Sequence, residues 1–258
     1  MRTARPGEAG LPYARAHMAS IALLGSGEFL PWATAVDRWC IESSPVGSDR
    51  VLVAPTASAP EGEASFRRWA RMGLEHYRAI GMKPEVLDVR TREHAEDPAR
   101  AAAVAGARLV FFSGGNPGYL AETLRDTVLW RAILDAVAAG TALGGCSAGS
   151  VAFGVEAPDV NGAALRQWVP GLALLESAYV IAHFDALDGY VPGLQRMLVE
   201  HTPESATMVG LDEDTALYGD GSAWTVAGAG AAWLKDGGEL RPVRAGGEVS
   251  LRLTARFP

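Results

Sequence analysis

A serine flanked by glycines stands in the segment Gly144-Gly-Cys-Ser-Ala-Gly149, which contains the pattern Gly145-x-Ser147-x-Gly149. The pattern follows a short apolar run and precedes small residues, which is typical of a tight turn between a strand and a helix. Such a turn holds the central side chain above the sheet edge, beside a helix N-terminus that favours negative charge. Ser147 is therefore a candidate nucleophile, and a glycine-rich surface turn is the alternative.

A serine hydroxyl becomes a strong nucleophile when a neighbouring imidazole accepts its proton. His183 follows the apolar run Val180-Ile-Ala182 and precedes a predicted helix, so we expect it in a loop at the end of a strand. It is the candidate general base, and a structural histidine is the alternative. The other histidines are expected in the N-terminal segment, on exposed polar helix faces or at a helix end: His17, His76, His94 and His201.

The composition limits the class of protein. The chain has 258 residues, 48% of them hydrophobic and 21% charged, with a net charge of −7, which is ordinary for a soluble globular protein. No basic stretch carries interleaved aromatic residues, so nucleic acid is not an expected partner. No apolar run is long enough to cross a membrane. Residues 1–19 lack the apolar core of a secretion signal, so we expect a flexible leader, a single domain over residues 20–258 and a cytoplasmic location.

Strand and helix patterns alternate through the first 150 residues, which predicts a parallel sheet with helices on both faces, an α/β protein of three αβα layers. Ligands bind such sheets at the carboxyl ends of the strands, where glycine-rich turns at 25–27, 113–116 and 144–149 should converge. After residue 200 short strands separated by Gly and Asp predict a C-terminal antiparallel extension without a helix. The predicted strands are 21–24, 51–54, 86–89, 109–112, a run from Thr141, 206–210, 223–227, 231–234 and 249–253, and the predicted helices cover about 61–80, 94–105 and 117–137.

Four ordered motifs resemble the dipeptidase E and cyanophycinase family of serine peptidases, which has the class I glutamine-amidotransferase-like fold. The likeness covers about residues 20–235, and the turn Gly25-Ser-Gly-Glu28 also fits the first strand and loop of that family. The motifs are Phe111-Phe-Ser-Gly-Gly-Asn116, Gly144-Gly-Cys-Ser-Ala-Gly149, Val180-Ile-Ala-His183-Phe and Gly210-Leu-Asp-Glu-Asp-Thr-Ala216.

The resemblance implies a serine hydrolase in which Ser147 is the nucleophile and His183 the general base. Backbone N–H groups of Ala148 and of Gly115, in the Gly114-Gly115 turn, would then stabilise the developing oxyanion. Asn116 fits a helix N-cap before Pro117 and could also bind substrate, as could Gly114. Glu28 could contact a substrate amine or support the wall of the cleft.

The family places the acid that orients the histidine between the serine and the histidine. Asp159 has the best loop position in that interval and is our choice for the third member of a Ser-His-Asp(Glu) triad. Glu156 is the second choice. The acidic run Asp212-Glu213-Asp214 lacks a further ligand at suitable spacing, so neither a metal nor a cofactor is expected.

The substrate stays open at this point. The arginine-rich stretch that cyanophycinases carry after the histidine is replaced by Phe184-Asp-Ala-Leu-Asp-Gly-Tyr190, so cleavage of a β-Asp-Arg polymer is not favoured. A dipeptidase E would need a basic side chain to recognise an N-terminal aspartate, for which Arg166 and Arg196 are candidates. A glutaminase is disfavoured, because Ser147 holds the elbow and Cys146 precedes it as a small packed residue.

The leading hypothesis is hydrolysis of a short peptide or isopeptide through an acyl-enzyme. Two alternatives remain: a catalytically inactive member of the fold that binds a metabolite in the same crevice, and an amidase or esterase that acts on a non-peptide substrate. The expected partners are the small substrate and, as an open option, a second copy of the chain in a homodimer.

Overall fold

A computed structural model of the chain describes residues 19–161 and 164–252. The expected leader at residues 1–19 therefore lies, except for its last residue, outside the described residues. The strands are β1 (Ile21–Leu24), β2 (Arg50–Ala54), β3 (Lys83–Val86), β4 (Leu109–Phe112), β5 (Ala142–Cys146), β6 (Glu156–Asn161), β7 (Ala164–Pro170), β8 (Ala178–Ala182), β9 (Thr207–Leu211), β10 (Thr215–Gly219), β11 (Ala223–Gly228), β12 (Ala231–Asp236), β13 (Arg241–Arg244) and β14 (Glu248–Ser250).

Nine helices connect these strands within the described residues, together with two 3₁₀ turns at Pro31–Ala33 and Thr56–Glu61. The helices are α1 (Thr34–Ser43), α2 (Glu63–Ala79), α3 (Arg92–Ala95), α4 (Pro98–Ala102), α5 (Pro117–Leu124), α6 (Val128–Ala138), α7 (Ala148–Val151), α8 (Leu187–Tyr190) and α9 (Leu194–His201).

The central sheet has eight strands in the order β14-β11-β10-β1-β5-β4-β2-β3. The five strands from β1 to β3 in this order run parallel, and β10, β11 and β14 extend the sheet in antiparallel pairing. The predicted mostly parallel α/β sheet with a C-terminal antiparallel extension is confirmed.

The side chains of the parallel strands alternate between two apolar layers, because successive residues of a strand point to opposite faces. In β2, Leu52 packs into the layer that contains Leu120 of α5 and Ile133 of α6. Val53 packs into the opposite layer, with Tyr77 of α2. Helices thus cover both faces of the sheet, which is the predicted three-layer arrangement.

The C-terminal strands do not form one meander. A second sheet has the order β13-β12-β9-β8, in which β8 and β9 run parallel. Along the chain, the helix α9 follows β8 and precedes β9. It ends at His201, which was predicted to end a helix. A separate hairpin of β6 and β7, which the sequence patterns did not predict, follows α7.

Several predicted elements differ from the structure in their bounds, and three of them do so for a clear local reason. The strand predicted at 86–89 is β3, which ends at Val86, and Leu87 and Val89 are buried without continuing the ladder. The helix predicted at 94–105 is interrupted before Pro98, which has no N–H to donate, so α4 begins there. The long helix predicted after Pro117 is interrupted before α6, where the side chain of Thr127 caps the N-terminus.

No helix within the described residues is long and apolar enough to span a membrane.

Candidate active site

Ser147 lies in the turn between β5 and α7, with φ 50° and ψ −114°. This conformation is rare for a residue with a side chain, and such strain is concentrated at functional sites. The turn is tight: a Cβ atom on Gly149 would lie 2.3 Å from the carbonyl oxygen of Phe112. The backbone N–H of Ser147 donates to the carbonyl of Leu24 in β1, which anchors the turn to the sheet. The predicted elbow is therefore present.

The hydroxyl of Ser147 meets the ring of His183, with 2.8 Å between Oγ and Nε2. His183 follows β8 directly and has φ 76°, so it too is held in the left-handed region. Its backbone N–H donates to the carbonyl of Leu211 at the end of β9. The two residues that the sequence selected are thus brought together from two different sheets.

The second nitrogen of the His183 ring faces Glu213, with 3.0 Å between Nδ1 and Oε1. Glu213 lies just beyond β9, whose register pairs Leu211 with Ala182 of β8, so the two strand ends are adjacent. The backbone N–H of Glu213 donates to the Asp185 carboxylate, which fixes the turn. A carboxylate at Nδ1 favours the tautomer that carries its proton there, so Nε2 accepts from the Ser147 hydroxyl.

Tyr190 contacts the same carboxylate, because its hydroxyl donates to Oε1 of Glu213 over 3.1 Å. Partial burial of this hydroxyl raises the pKa of Tyr190 above its ordinary value, and the hydrogen bond and charge of Glu213 raise it further. The tyrosine therefore remains a neutral donor to Glu213.

The structure does not bring Asp159, the predicted orienting acid, to the ring of His183. Its carboxylate accepts from Nδ2 of Asn116 over 2.7 Å and lies 3.9 Å from the guanidinium of Arg166. The second choice, Glu156, pairs instead with His201 over 2.8 Å. The two carboxylates of the hairpin thus have other partners, whereas the parallel pairing of β8 and β9 brings Glu213 to the ring.

The other histidines in the described part of the chain have their own partners. His76 was expected to be exposed, but its side chain is 8% exposed and pairs with Asp37 over 2.8 Å. His94 accepts from the backbone N–H of Arg90. Only His183 reaches a serine hydroxyl among the described histidines.

Two backbone N–H groups beside Ser147 remain free to donate. Gly115 has φ 142°, and a Cβ on it would lie 2.3 Å from the carbonyl oxygen of Ala57, so only glycine fits this turn. Ala148 is the first residue of α7, where N–H groups lack intrahelical acceptors. Within residues 19–161 and 164–252, neither N–H has an acceptor in hydrogen-bond range. Both residues line the cleft in front of Ser147.

Glu28 is a buried support of this turn and does not line the cleft. It is 4% exposed, and its carboxylate accepts from the backbone N–H of Gly114 and from the thiol of Cys146, both over 2.9 Å. Burial raises the pKa of the Cys146 thiol well above its ordinary value, and the Glu28 charge raises it further, so the thiol stays a donor. Two roles were expected as alternatives for Glu28, contact with a substrate amine and support of the cleft wall, and its position beneath Gly114 fits the second.

Asn116 is also occupied by the protein. Its Oδ1 accepts from the N–H of Tyr119, so it caps α5 as predicted, while Nδ2 donates to Asp159 and to the carbonyl of Val160. Both protons of Nδ2 are therefore used within the protein, and Asn116 does not line the cleft in front of Ser147. Gly114 lies close to Ser147, since a Cβ there would be 3.7 Å from Oγ of Ser147.

The three residues of the acidic run after β9 contact different partners. Asp212 accepts from the N–H of Ala231 and from the indole of Trp233, which ties β9 to β12. Glu213 contacts His183, as described, and the N–H of Asp214 donates to Ser26. No cluster of three potential metal ligands occurs among the described residues.

A cleft of about 440 Å³ opens in front of Ser147 and His183, a volume within the range of small-molecule sites. Its walls come from the β6–β7 hairpin, from β8 and from α9. Ser147, His183 and the two free N–H groups thus meet at one concave surface, an arrangement suited to attack on a carbonyl carbon.

Comparison with known proteins gives a consistent set of relatives. A family model described as Peptidase family S51 matches residues 21–227. The crystal structure of a peptidase from an acI-B1 Actinobacterium is similar, with 32% identity and a TM-score of 0.82, covering 91% of this chain and 98% of that one. A putative peptidase E protein from Listeria monocytogenes EGD-e shares the fold, with 19% identity and a TM-score of 0.61, covering 82% of this chain and 99% of that one. No curated protein sequence matches the chain.

Proposed function

Because this chain belongs to peptidase family S51 and is a serine peptidase-type hydrolase, we propose that it cleaves a short peptide or isopeptide through an acyl-enzyme at Ser147. One observation carries the proposal: a continuous line of hydrogen bonds runs from Ser147 through His183 to Glu213. These three residues form the proposed triad, with Glu213 in the place that sequence reasoning gave to Asp159.

In the first half of the reaction, His183 accepts the Ser147 proton at Nε2 as Oγ attacks the substrate carbonyl carbon. Glu213 accepts from Nδ1–H, holds the ring in the required tautomer and stabilises the imidazolium that forms. His183 then passes the proton to the leaving nitrogen, the carbon–nitrogen bond breaks, and the acyl group stays on Oγ as an ester.

The negative oxygen of the tetrahedral intermediate is stabilised by the N–H groups of Gly115 and Ala148. Both donors are fixed before the reaction, Gly115 by its contact with Ala57 and Ala148 by its place in α7, so no reorganisation is needed when charge develops. Glu28 acts as a positioning residue, because it holds Gly114 next to this site.

In the second half, His183 takes a proton from water, and the resulting hydroxide attacks the ester. The intermediate collapses, the acid product leaves, and His183 returns the proton to Ser147. The cycle consumes one water and needs no electron donor or acceptor.

The metabolite-binding alternative has two grounds: the uncertain identity of the acid beside His183, and the lack of an assignable residue that recognises the substrate. The Glu213 carboxylate at Nδ1 of His183 weakens the first ground. An amidase or esterase would use the same three residues, so it differs from the peptidase only in substrate and is separated by a substrate panel.

Labelling with a fluorophosphonate probe tests the proposal. The probe bonds to activated serines, so wild-type protein should gain one adduct that peptide mapping places on Ser147. Ser147→Ala should not be labelled, whereas Ser222→Ala, at an exposed serine outside the cleft, should label like wild type. An adduct that persists in Ser147→Ala removes Ser147 from its role.

Substrate assays then assign the reaction. We expect turnover of dipeptides or β-aspartyl dipeptides by wild-type protein and none by Ser147→Ala. Hydrolysis of simple esters or amides with no cleavage of any peptide would favour the amidase or esterase.

A further inference from the structure

The cleft beside Ser147 is mainly apolar along the wall that continues past the catalytic residues. Trp168 and Tyr179 lie half-buried in this wall, and the Trp168 ring stacks on His201 with 3.8 Å between ring centres. The apolar part of the wall includes Val160, Leu165, Ile181, Leu194, Met197 and Leu198. Walls of this kind bind apolar groups, because burying them removes apolar surface from water.

The exposed large hydrophobic residues of the protein are concentrated at this cleft. Among the described residues, five such side chains are exposed, and three of them line the cleft: Leu165, Tyr190 and Met197. Isolated exposed apolar residues are common, but a group around one concavity marks a binding site. These exposed hydrophobic residues line the same cleft as Ser147. An apolar group that they bind would therefore be part of the molecule that Ser147 attacks.

Among the described residues, the cleft also lacks the lysine or arginine side chain that would bind an acidic substrate. No lysine or arginine of the described chain lines it. The two arginines that could have recognised an aspartate are engaged elsewhere: Arg166 lies beside Asp159, and Arg196 pairs with Glu200 on the exposed side of α9. The carboxylate that lines the cleft, Glu156, pairs with His201 and adds no positive charge that could attract an acidic group.

We propose that the substrate carries a large apolar side chain, aromatic or branched aliphatic, next to the scissile bond, and that the β6–β7 hairpin and α9 hold it. This substrate class rests on the proposed function, since it specifies what Ser147 attacks. An N-terminal aspartate is disfavoured by the same walls.

Binding to the full-length Ser147→Ala protein tests the inference without turnover. Calorimetric titration compares Phe-Gly, Gly-Phe, Asp-Gly and Gly-Gly. At least one peptide with Phe should bind about tenfold or more tightly than Asp-Gly and Gly-Gly. The tighter of Phe-Gly and Gly-Phe tells whether the apolar group precedes or follows the scissile bond. Equal affinities, including no measurable binding of any peptide, overturn the inference.

Charge substitutions in the cleft provide the matched comparison. In the same Ser147→Ala background, Met197→Arg and Leu165→Arg should each weaken binding of the Phe peptide about tenfold and strengthen binding of Asp-Gly. Leu30→Arg changes an equally exposed hydrophobic residue outside the cleft and should leave all affinities unchanged. All three positions are exposed, so the variants should keep the wild-type melting temperature. Unchanged affinities in both cleft variants contradict the proposed wall.

The two proposals fail separately. A fluorophosphonate adduct on Ser147, together with no preference for Phe peptides, overturns the substrate class and leaves the hydrolase intact. A clear preference for Phe peptides, together with no adduct, overturns the hydrolase and leaves an apolar binding site.

Discussion

His183 and Glu213 contact each other across the ends of two parallel strands, with 3.0 Å between Nδ1 and Oε1. In the proposed triad the acid therefore follows the base in the chain, in the order Ser147, His183, Glu213. The contact depends on the register of β8 and β9, which places Ala182 beside Leu211 and so aligns the residues that follow them. The geometry of this pair decides which carboxylate supports the imidazole.

The hydrogen bond from the Tyr190 hydroxyl to Glu213 should make a small contribution to kcat. Tyr190→Phe removes one hydrogen bond to a charged carboxylate that keeps its contact with His183. Because hydrogen bonds to charged groups contribute about 1.5–3 kcal/mol at most and Glu213 is partly exposed, we expect kcat to fall by no more than about tenfold. Steady-state kinetics with a chromogenic ester measures this, and a loss of a thousandfold would mean that Tyr190 itself takes part in the chemistry.

The Gly115 turn should tolerate no side chain. Gly115→Ala places a Cβ against the Ala57 carbonyl, so the turn must move and its N–H leaves the proposed oxyanion position. Removal of one such donor lowers kcat by about 10²–10³-fold in other hydrolases, and we expect a loss of that size. Gly106→Ala is the control, because Gly106 also has positive φ, 73°, but faces open space. It should lose stability only, and an equal loss of kcat in both variants would contradict this role for Gly115.

Glu28 should act through the turn that it supports. Glu28→Ala leaves the buried N–H of Gly114 without its acceptor, so we expect a loss of about 1–3 kcal/mol in the free energy of unfolding and a lower kcat with a smaller change in KM. Glu28→Gln keeps an oxygen that can accept from Gly114 and should restore most of kcat. Urea unfolding and steady-state kinetics measure the two effects. A Glu28→Gln variant as impaired in kcat as Glu28→Ala would assign the effect to charge instead.

The buried thiols predict a loss of stability at high pH. Burial raises the pKa of Cys40 and Cys146 well above the ordinary value of 9.0, and Asp37 and Glu28 respectively raise it further. Above about pH 9 the unfolded chain releases these protons while the folded chain keeps them. The free energy of unfolding must then fall as pH rises, and below that pH the thiols contribute no slope.

Urea unfolding at pH 8, 9 and 10 measures that slope. Removing one of the two thiols in Cys40→Ala should reduce the loss between pH 9 and 10 by about 1 kcal/mol. An unchanged slope would show that Cys40 ionises equally in both states.

The sequence was sufficient for the features that depend on local patterns. The elbow at Ser147, the loop position of His183 and the Asn116 cap follow from glycine spacing, apolar runs and the Asn-Pro pair. The alternation of strands and helices also predicted the parallel sheet. Pro98 and Thr127 are signals for the start of a helix, but the apolar periodicity on both sides of them predicted longer, uninterrupted helices.

The remainder depends on contacts between distant segments. Glu213 reaches His183 because β8 pairs with β9, and nothing near either residue encodes that pairing. The signal that was available is the carboxylate two residues after β9, at the same edge as the residue after β8. The family resemblance implies an acid between residues 147 and 183, and Glu213 lies outside that interval. The apolar cleft was not predicted either, because one of its walls is the β6–β7 hairpin, which the sequence patterns did not predict.

The central claim is that His183 activates Ser147 while Glu213, and not Asp159, holds the imidazole. Glu213→Gln and Asp159→Asn are matched changes that each remove one charge and keep the shape of the side chain. The measurement is the rate constant for fluorophosphonate labelling of Ser147 in wild type and in each variant. We predict a loss of about 10²–10⁴-fold in Glu213→Gln and a change within about threefold in Asp159→Asn, whose amide oxygen can still accept from Asn116. Full labelling by Glu213→Gln, or a large loss in Asp159→Asn alone, would contradict the account.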